Sequence, residues 1–323
     1  MKSFRIFTVL LLFPLVATAD WLREEAAIMG TAISVELWHP DADQGRALIR
    51  HVMDEMHRID DLMSTYKPDS ELSRVNARAA EEPVTVSNEL LTLIERALEF
   101  SEITHGAFDI TYASAGQYYD YRKGRKPDSK QLAEALPAIN FHHVRLNSEH
   151  LTVQFLQPGV RIDLGGIAKG HAVDRSITML LAAGVSNALI SAGGDTRVIG
   201  SHWDHPWKIG IRDPREADGI VSMIPLEDAA ISTSGDYERF FEEDGVRYHH
   251  ILNPGTGDSS REVHSTSIIG SNATDTDALS TSVFVMGVDN GLNLVNSLPD
   301  IEAIIIDNRG RMHYSDGLAR VTQ

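Results

Sequence analysis

The chain has 323 residues, of which 42% are apolar, and its 46 acidic and 29 basic residues give a net charge of −17. An acidic surface of this size disfavours nucleic acid and anionic lipid surfaces as partners, so an anionic ligand must be bound by a local cation, a helix end or a metal. The absence of cysteine from the sequence excludes disulfides, thiol nucleophiles and cysteine-ligated zinc.

The N-terminal segment has the pattern of an export signal. Lys2 and Arg5 precede a short apolar run, and a small-residue cleavage site (Ala-Thr-Ala) follows at residues 17–19. The run is shorter than the ~20 apolar residues that span a bilayer. We therefore predict a signal peptide at residues 1–19 and a soluble periplasmic protein without a membrane span at residues 20–323. An uncleaved N-terminal anchor is the alternative.

Periodicity and turn signals predict interleaved helices and strands along the rest of the chain. Helices are predicted at 43–66, 87–104, 128–136, 166–184 and 273–286, and strands at 29–38, 143–146, 151–155, 160–163, 188–191, 207–211, 220–225, 246–252, 263–270, 301–307 and 311–314. These elements lack a regular βαβ rhythm. We therefore predict an α+β fold, a single large mixed domain with mainly antiparallel strands, rather than a doubly wound sheet.

The segment at residues 161–171 (RIDLGGIAKGH) is the most unusual in the chain. A strand delivers Asp163, two glycines allow a tight turn, and the free amides of the following helix suit an anion. Lys169 lies in the first helical turn, where the helix dipole disfavours a cation, so we expect it to pair with Asp163 or to hold a phosphate. The glycine spacing matches neither a Walker loop nor a dinucleotide fingerprint. A strand-to-helix turn with a local ion pair is the structural alternative.

A second candidate segment opens the helix predicted at 273–286. Asp277 and Thr281 are four residues apart and share one helix face. A carboxylate and a hydroxyl are hard oxygen ligands of the kind that Mg²⁺ takes, with water and substrate phosphates completing its shell. Asp275 is a further acidic neighbour. Residues that cap the helix and complement its dipole are the alternative interpretation.

Two adjacent histidines end a predicted strand. His249 and His250 project to opposite faces, so one faces the core or solvent while the other projects into a cleft. Histidine suits proton transfer near neutral pH. A purely structural pair is equally consistent with the sequence.

Two aromatic residues follow helices. Phe108 lies in the loop after the second predicted helix, where its ring is placed to stack on a planar ligand. Tyr66 closes the first helix and forms a possible second aromatic wall. From composition alone, turn formation or packing explains both residues as well.

Taken together, eight stretches resemble the ApbE family of FAD:protein FMN transferases, and they occur in that family's order over nearly the whole mature chain. They are MGT at 29–31, MSTYKPDSELSRVN at 63–76, GAFD at 106–109, IDLGGIAKG at 162–170, SAGGD at 191–195, TSGDY at 233–237, HHILNP at 249–254 and DALST at 277–281. One departure is Asn253, where the family often has an aspartate before the proline.

The resemblance implies an ApbE-type fold and a specific set of site residues. Contacts to the flavin are implied for Met29, Tyr66, Ala107, Phe108 and Asp109, further contacts to FAD for Asp163, Lys169 and Ile251, and ligation of Mg²⁺ for Asp277, Thr281 and the main-chain oxygen of Gly166.

The implied reaction is Mg²⁺-dependent transfer of FMN from FAD to a Thr or Ser hydroxyl of an acceptor protein, a subunit of a respiratory or reductase complex, with release of AMP. His250 is the candidate general base or acid, because a hydroxyl nucleophile must lose its proton. Two alternatives remain: a Mg²⁺-dependent FAD pyrophosphatase that releases FMN and AMP, and a non-catalytic periplasmic flavin-binding protein or metal carrier.

Overall fold

A computed structural model describes residues 20–216 and 219–321, so the predicted signal peptide lies outside the described residues. The helices are α1 Ala42–Met63, α2 Glu71–Arg78, α3 Asn88–Ile103, α4 Ala113–Gly116, α5 Ser129–Ala135, α6 Ala168–Ala182, α7 Ala273–Ser297 and α8 Asp316–Val321. The strands are β1 Asp20–Ile28, β2 Thr31–His39, β3 Val84–Thr85, β4 Val144–Asn147, β5 Thr152–Phe155, β6 Ala188–Ala192, β7 Asp195–Ile199, β8 Trp207–Arg212, β9 Ile220–Leu226, β10 Ala230–Gly235, β11 Phe240–Glu243, β12 Val246–His249, β13 Leu252–Asn253, β14 Asp258–Ser259, β15 Val263–Gly270, β16 Glu302–Asp307 and β17 Met312–Tyr314.

One antiparallel sheet organises the molecule. Its eight strands follow the order β1-β2-β6-β7-β10-β15-β16-β17. Helices α1, α6 and α7 pack against it and enclose the larger hydrophobic core. The β8–β9 ribbon contributes Trp207, Ile211 and Leu226 to a smaller core with Val198 and Ile231 from the sheet. The predicted α+β class is therefore confirmed, with helices and an antiparallel sheet in one domain.

Side-chain caps fix the starts of α1 and α7, and one of the groups that cap α7 comes from α6. The carboxylate of Asp41 accepts backbone hydrogen bonds at the start of α1, whose inner face buries residues such as Val52 and Ile59. Helix α7 is capped by Asn272 and also by Asp174 of α6, which accepts from the Ala273 amide at 2.9 Å. The α6–α7 contact thereby holds two of the candidate segments together.

Several predicted elements differ from the structure. The predicted strand at 160–163 is not a strand, and the one at 246–252 breaks after His249. Strand β1 was missed, and the chain turns at Met29 rather than beginning a strand there. Helix α7 continues eleven residues past the predicted end, through a kink at Gly287 with φ +79°. Among the residues that the structure describes, no helix combines the length and hydropathy needed to cross a membrane.

Candidate active site

A buried ion cluster joins the first turns of α6 and α7. The Lys169 Nζ atom lies 2.5 Å from the Asp195 Oδ2 atom and 3.3 Å from the Asp277 Oδ1 atom. The backbone amide of Gly170 donates to the Asp277 Oδ2 atom at 3.0 Å, and both carboxylates are 2% exposed. The interpretation of Lys169 as a partner of Asp163 is wrong, because the ammonium group instead bridges two aspartates that are remote in sequence.

The cluster has one ammonium group for two carboxylates. Burial, and then the charge of Asp195, raise the pKa of Asp277 to about 7, although Lys169 acts in the opposite direction. Burial alone would lower the pKa of Lys169, but the two aspartates outweigh it and raise that pKa. Lys169 is therefore protonated, and the cluster carries an excess negative charge whenever both carboxylates are ionised. Such a site attracts an additional cation.

Two further oxygen-bearing residues lie beside the cluster. One turn of α7 separates Asp277 from Thr281, whose Oγ1 atom lies 3.2 Å from the Ser234 Oγ atom of β10. A Cβ atom added to Gly166 would lie 3.2 Å from the Thr281 Oγ1 atom, so the backbone of Gly166 packs directly against this hydroxyl. The structure thus brings together the three residues predicted to hold Mg²⁺.

The oxygen donors of Asp277, Thr281 and Gly166 fit Mg²⁺, although only one of them is a charged carboxylate. Within residues 20–216 and 219–321, no group of three or more His, Asp and Glu side chains is arranged to hold a metal ion. The predicted set has one carboxylate, one hydroxyl and one carbonyl. Mg²⁺ usually keeps several waters and binds substrate phosphates in addition to one or two carboxylates. The oxygen donors and the excess negative charge of the cluster are consistent with that chemistry.

Asp163 connects the end of α1 to the turn that precedes α6. Its Oδ2 atom accepts from the Thr65 hydroxyl at 2.8 Å, and its Oδ1 atom accepts from the Gly165 amide at 2.7 Å and the Tyr112 hydroxyl at 3.0 Å. Burial, and then the charge of Asp163, raise the pKa of Tyr112 well above its usual range. Tyr66, next to this network, is 86% exposed and is free to contact a ligand.

The two histidines divide as the strand pattern predicts. His249 is buried, with its Nε2 atom 2.5 Å from the Ser260 carbonyl oxygen and its ring edge-on to Phe284. The Ile251 amide donates to the Nδ1 atom of His249 at 3.3 Å, so both ring nitrogens have structural partners. Ile251 itself is buried. His249 is therefore the structural member of the pair.

The other histidine has a ring nitrogen without a protein partner. The ring of His250 is partly exposed, but its Nδ1 atom is buried and has no hydrogen-bond partner in the part of the chain that the structure describes. Burial, followed by the nearby Arg239, lowers the pKa of His250 to about 3, and the charge of Lys169 contributes as well. The imidazole is therefore neutral at pH 7 and lies close to the ion cluster.

Met29 reaches the same region through a tight turn. Met29 and Gly30 both have left-handed backbone angles, with φ of +55° and +69°, as the favoured two-residue hairpin turn between β1 and β2 requires. The Arg239 guanidinium donates to the Gly30 carbonyl at 3.2 Å, and the Arg239 carbonyl accepts from the His250 amide at 3.1 Å. One arginine thus joins the predicted flavin contact to the predicted catalytic histidine.

In the loop at 106–109, the side chains of Phe108 and Asp109 are held by other parts of the protein. The ring of Phe108 is buried edge-on to Phe100, and a Cβ atom on Gly166 would lie 3.2 Å from it. The interpretation of Phe108 as a ring that stacks on a planar ligand is therefore wrong, because its faces are occupied by the core. The Asp109 carboxylate accepts from the amide and hydroxyl of Thr111 and the Phe141 amide, so it fixes the loop.

A cavity of about 860 Å³ opens beside this loop. Ala107 and Asp109 line one side of it, and residues 253–255, which follow the two histidines, line another. The remaining lining residues are Ile103, Thr104, His105, Gly106, Ile139, Asn140, Phe141, Val285, Met286, Asn290, Asn293 and Leu294. The cavity is large enough for part of a dinucleotide.

Sequence reasoning missed several residues that complete this region. Thr65, Asp195 and Ser234 occur within quoted motifs but were given no role, and Tyr112 and Arg239 lie two or three residues beyond such motifs. The available signal was their proximity to those motifs. Their contacts with Lys169, Thr281, Asp163 and Gly30 depend on the tertiary fold.

The fold and this region define an α+β protein with a buried carboxylate–ammonium cluster between two helix N-termini. The model of the ApbE family matches residues 29–305. The FAD:protein FMN transferase of Treponema pallidum is 34% identical, covering 93% of this chain and 88% of that protein. The FAD:protein FMN transferase of Vibrio cholerae is 31% identical over 90% of this chain and 89% of its own length.

Solved structures agree with these sequence matches. The crystal structure of the ApbE protein from Thermotoga maritima superposes with a TM-score of 0.87 at 34% identity, covering 94% of this chain and all of that one. The flavin transferase ApbE from Vibrio cholerae gives a TM-score of 0.83 at 28% identity, covering 94% of this chain and 99% of that one. The chain belongs to the ApbE family.

Proposed function

We propose that the protein is a Mg²⁺-dependent FAD:protein FMN transferase that attaches FMN through a phosphoester to a Thr or Ser hydroxyl and releases AMP. The observation that carries this proposal is the buried Lys169–Asp195–Asp277 cluster beside Gly166 and Thr281, in a chain whose relatives are named FAD:protein FMN transferases. Transfer of FMN from a dinucleotide requires charge stabilisation at a pyrophosphate, and this cluster brings together oxygen donors that suit a cation there.

The residues around the cluster support a dinucleotide site. Tyr66 is exposed beside Asp163, Met29 is brought near His250 by Arg239, and the cavity next to Ala107 adds room for a further part of the ligand. Lys169 is shared by Asp195 and Asp277, so the countercharge for phosphate would come mainly from a cation bound at this cluster. FAD is the proposed substrate.

Asp277, Thr281 and the Gly166 carbonyl would hold Mg²⁺. When bound, the ion neutralises phosphate charge and makes AMP a better leaving group. Asp277 is already fixed by the Gly170 amide, so its carboxylate is oriented before any ligand arrives.

The proposed step exchanges one phosphorus–oxygen bond for another. The hydroxyl oxygen of the acceptor bonds to the phosphorus of the FMN half, and the bond from that phosphorus to the bridging oxygen breaks. AMP leaves with the bridging oxygen. The hydroxyl proton passes to the Nδ1 atom of His250, which has no protein partner among the described residues and so has a free position for the hydrogen bond from the hydroxyl.

The acceptor and compartment follow from the resemblance and the N-terminal sequence. We propose an acceptor subunit of a respiratory or reductase complex, and a periplasmic protein released after cleavage of residues 1–19. Cell fractionation combined with N-terminal sequencing tests the compartment. A mature chain starting at Asp20 in the periplasm is the expected result, and a full-length membrane-bound chain would contradict it.

Incubation with FAD, Mg²⁺ and candidate acceptors, followed by intact-mass measurement, tests the reaction. The expected result is an acceptor heavier by one FMN, with equimolar AMP, and no product in EDTA or with an acceptor whose target hydroxyl residue is alanine. AMP release without an adduct would instead indicate an FAD pyrophosphatase. FAD binding without AMP release would indicate a non-catalytic flavin-binding protein.

A further inference from the structure

A strongly basic loop stands out on this acidic chain. The basic loop, residues 118–126 (YYDYRKGRK), carries four cations within five positions, whereas the whole chain has a net charge of −17. All four cationic side chains, Arg122, Lys123, Arg125 and Lys126, are exposed. Such a reversal of local charge favours an acidic partner.

The basic loop is held in one conformation. The backbones of Asp120 and Arg125 exchange two hydrogen bonds of 2.9 and 3.0 Å, which closes a tight turn. The rings of Tyr119 and Tyr121 stack at 5.6 Å, and the Tyr119 hydroxyl donates to the Gly257 carbonyl at 3.0 Å. Tyr121 also contacts Phe241 of β11. A partner that binds this loop therefore does not have to order it first.

The basic loop lies at the rim of the candidate site. It follows α4, which begins directly after Tyr112, the tyrosine that donates to Asp163. On its other side, the Tyr119–Gly257 contact ties it to the segment that follows His250. Tyr121 lies close enough to Tyr112 to add to the increase in its pKa, after burial and Asp163. The basic loop thus lies between the Asp163 side of the site and the segment that follows His250.

Two of its cations are available for a partner. Lys123 pairs with Asp120 at 3.2 Å, and Lys126 pairs with Glu243 and donates to the Tyr248 hydroxyl. Arg122 and Arg125 form no ion pair with any residue that the structure describes. Arginine presents a planar set of donors that binds carboxylates in pairs.

We propose that the basic loop docks an acidic segment of the acceptor protein and so presents the target hydroxyl to the site. This inference rests on the proposed function. The pyrophosphate of FAD is assigned to the metal site beside Lys169, which leaves the exposed arginines of the basic loop for the second substrate. An anionic bilayer would be repelled by the acidic surface of the whole molecule. A short acidic peptide segment is small enough to contact the basic loop alone, so a peptide is favoured as the partner.

The test compares two double variants that each remove two positive charges. R122Q/R125Q changes the loop, and R50Q/K208Q is the control. Arg50 and Lys208 are exposed and form no ion pair within the described ranges, with Arg50 on α1 and Lys208 on the β8–β9 ribbon. Steady-state FMN transfer gives kcat and KM for the acceptor, and titration of FAD gives its Kd.

For R122Q/R125Q, we expect KM for the acceptor to rise about 10-fold at low salt, with kcat and the Kd of FAD unchanged. The difference from wild type should vanish in 0.5 M NaCl, and R122K/R125K should restore most of the affinity. The control variant should keep the wild-type KM. Equal thermal unfolding midpoints show that both variants fold.

Three outcomes overturn the inference: an unchanged KM in R122Q/R125Q, an equal increase in the control, or loop-dependent binding to phosphatidylglycerol vesicles with an unchanged KM. The last result would assign the loop to a lipid surface. If wild-type protein transfers no FMN to any acceptor, the proposed function fails instead, and that failure is seen before any variant is made.

Discussion

His250 has a ring nitrogen that is open to a hydrogen bond from the substrate. Its buried Nδ1 atom lacks a partner within the described structure, and an unpaired buried polar atom costs about 1–3 kcal/mol. A substrate hydroxyl would supply that hydrogen bond. We therefore expect His250→Ala to slow FMN transfer about 10²- to 10⁴-fold with little change in the affinity for FAD. Single-turnover kinetics measures the effect, the exposed His150→Ala is the control, and a normal rate would remove His250 from the mechanism.

The protonation state of His250 is a separate expectation. Because burial and Arg239 lower its pKa to about 3, the imidazole stays neutral from pH 8 down to pH 5 and gains a proton only as the pH approaches 3. Imidazole ¹⁵N spectra should show constant shifts for His250 across pH 5–8, while exposed histidines titrate. A titration of His250 near pH 6.5 would contradict the burial seen here.

Asp277 is expected to be indispensable for metal-dependent transfer. Asp277→Asn removes the charge but keeps an oxygen that accepts from the Gly170 amide, so the helix contact survives. The Mg²⁺ concentration for half-maximal transfer should rise at least 10-fold, because the only carboxylate in the proposed set is lost. Asp275→Asn, two positions earlier in α7, serves as the control because it removes a carboxylate that pairs with Arg96 instead. Wild-type dependence on Mg²⁺ in Asp277→Asn would exclude this site.

At the scale of single residues, the sequence indicated which residues belong to the candidate site more reliably than it indicated which residues they contact. Asp163, Lys169 and Asp277 were all recognised as candidates from local patterns. The pairing of Lys169 with Asp195 and Asp277 spans 26 and 108 positions, and no local pattern encodes such a contact. Phe108 was similarly misread, because exposure of a loop ring depends on what packs over it.

The contact between α6 and α7 depends on one glycine. A Cβ atom on Gly170 would lie 2.1 Å from the Ala273 carbonyl oxygen and 2.9 Å from the Asp277 Cβ atom. Gly170→Ala must therefore push the helices apart. We expect a loss of about 1–3 kcal/mol in the free energy of unfolding, measured in urea, together with weaker Mg²⁺-dependent transfer. Unchanged stability would mean that the helices tolerate a wider separation.

A second helix contact should make stability depend on pH. Glu89 of α3 lies 2.8 Å from Arg58 of α1 and 2.9 Å from His171 of α6. Burial alone would raise the pKa of Glu89, but these partners lower it to about 2. The stabilisation is therefore complete above pH 4.5 and is lost as the pH falls towards 2.

Glu89→Gln isolates this contribution. At pH 7 we expect it to reduce the free energy of unfolding by about 2 kcal/mol, because two charge-assisted hydrogen bonds are weakened. The difference from wild type should shrink between pH 4.5 and 3. Urea titrations at both ends of that range measure it, and a difference that is independent of pH would assign the effect to packing.

At the scale of elements, helices were predicted better than central strands. The inner face of α1 repeats apolar residues with helical spacing, so its existence is visible in the sequence. Strands β7 and β10 were missed although both lie inside the main sheet. In β10 the polar side chains find partners on α7, since the Ser232 and Ser234 hydroxyls lie 2.9 and 2.8 Å from the Thr276 and Ser280 hydroxyls. Burial of hydroxyls removes the apolar alternation on which strand prediction relies.

At the scale of the whole molecule, the proposed ligands connect elements from most of the chain. FAD and Mg²⁺ should therefore stabilise the fold as one cooperative unit. At 100 times the Kd, a ligand that binds only the folded protein adds about 2.7 kcal/mol. The midpoint temperature of thermal unfolding should rise when FAD and Mg²⁺ are both added, and it should fall back to the value without ligands when EDTA is added. If unfolding occurred in two phases and the ligands raised the midpoint of only one of them, the fold would not be a single cooperative unit.

The site can form only after nearly the whole chain has been synthesised, because its contacts join residues that are far apart in the sequence. Three hydrogen bonds of the site join distant parts of the chain: Arg239 to Gly30, Thr65 to Asp163, and Lys169 to Asp277. The early and late parts of the chain must therefore be present together. Helix α7 begins only at Ala273. A nascent chain is therefore expected to have no partial activity while it is being synthesised. A truncated product ending before α7 would keep most of the residues and none of the chemistry, which confines the proposed transfer to finished molecules.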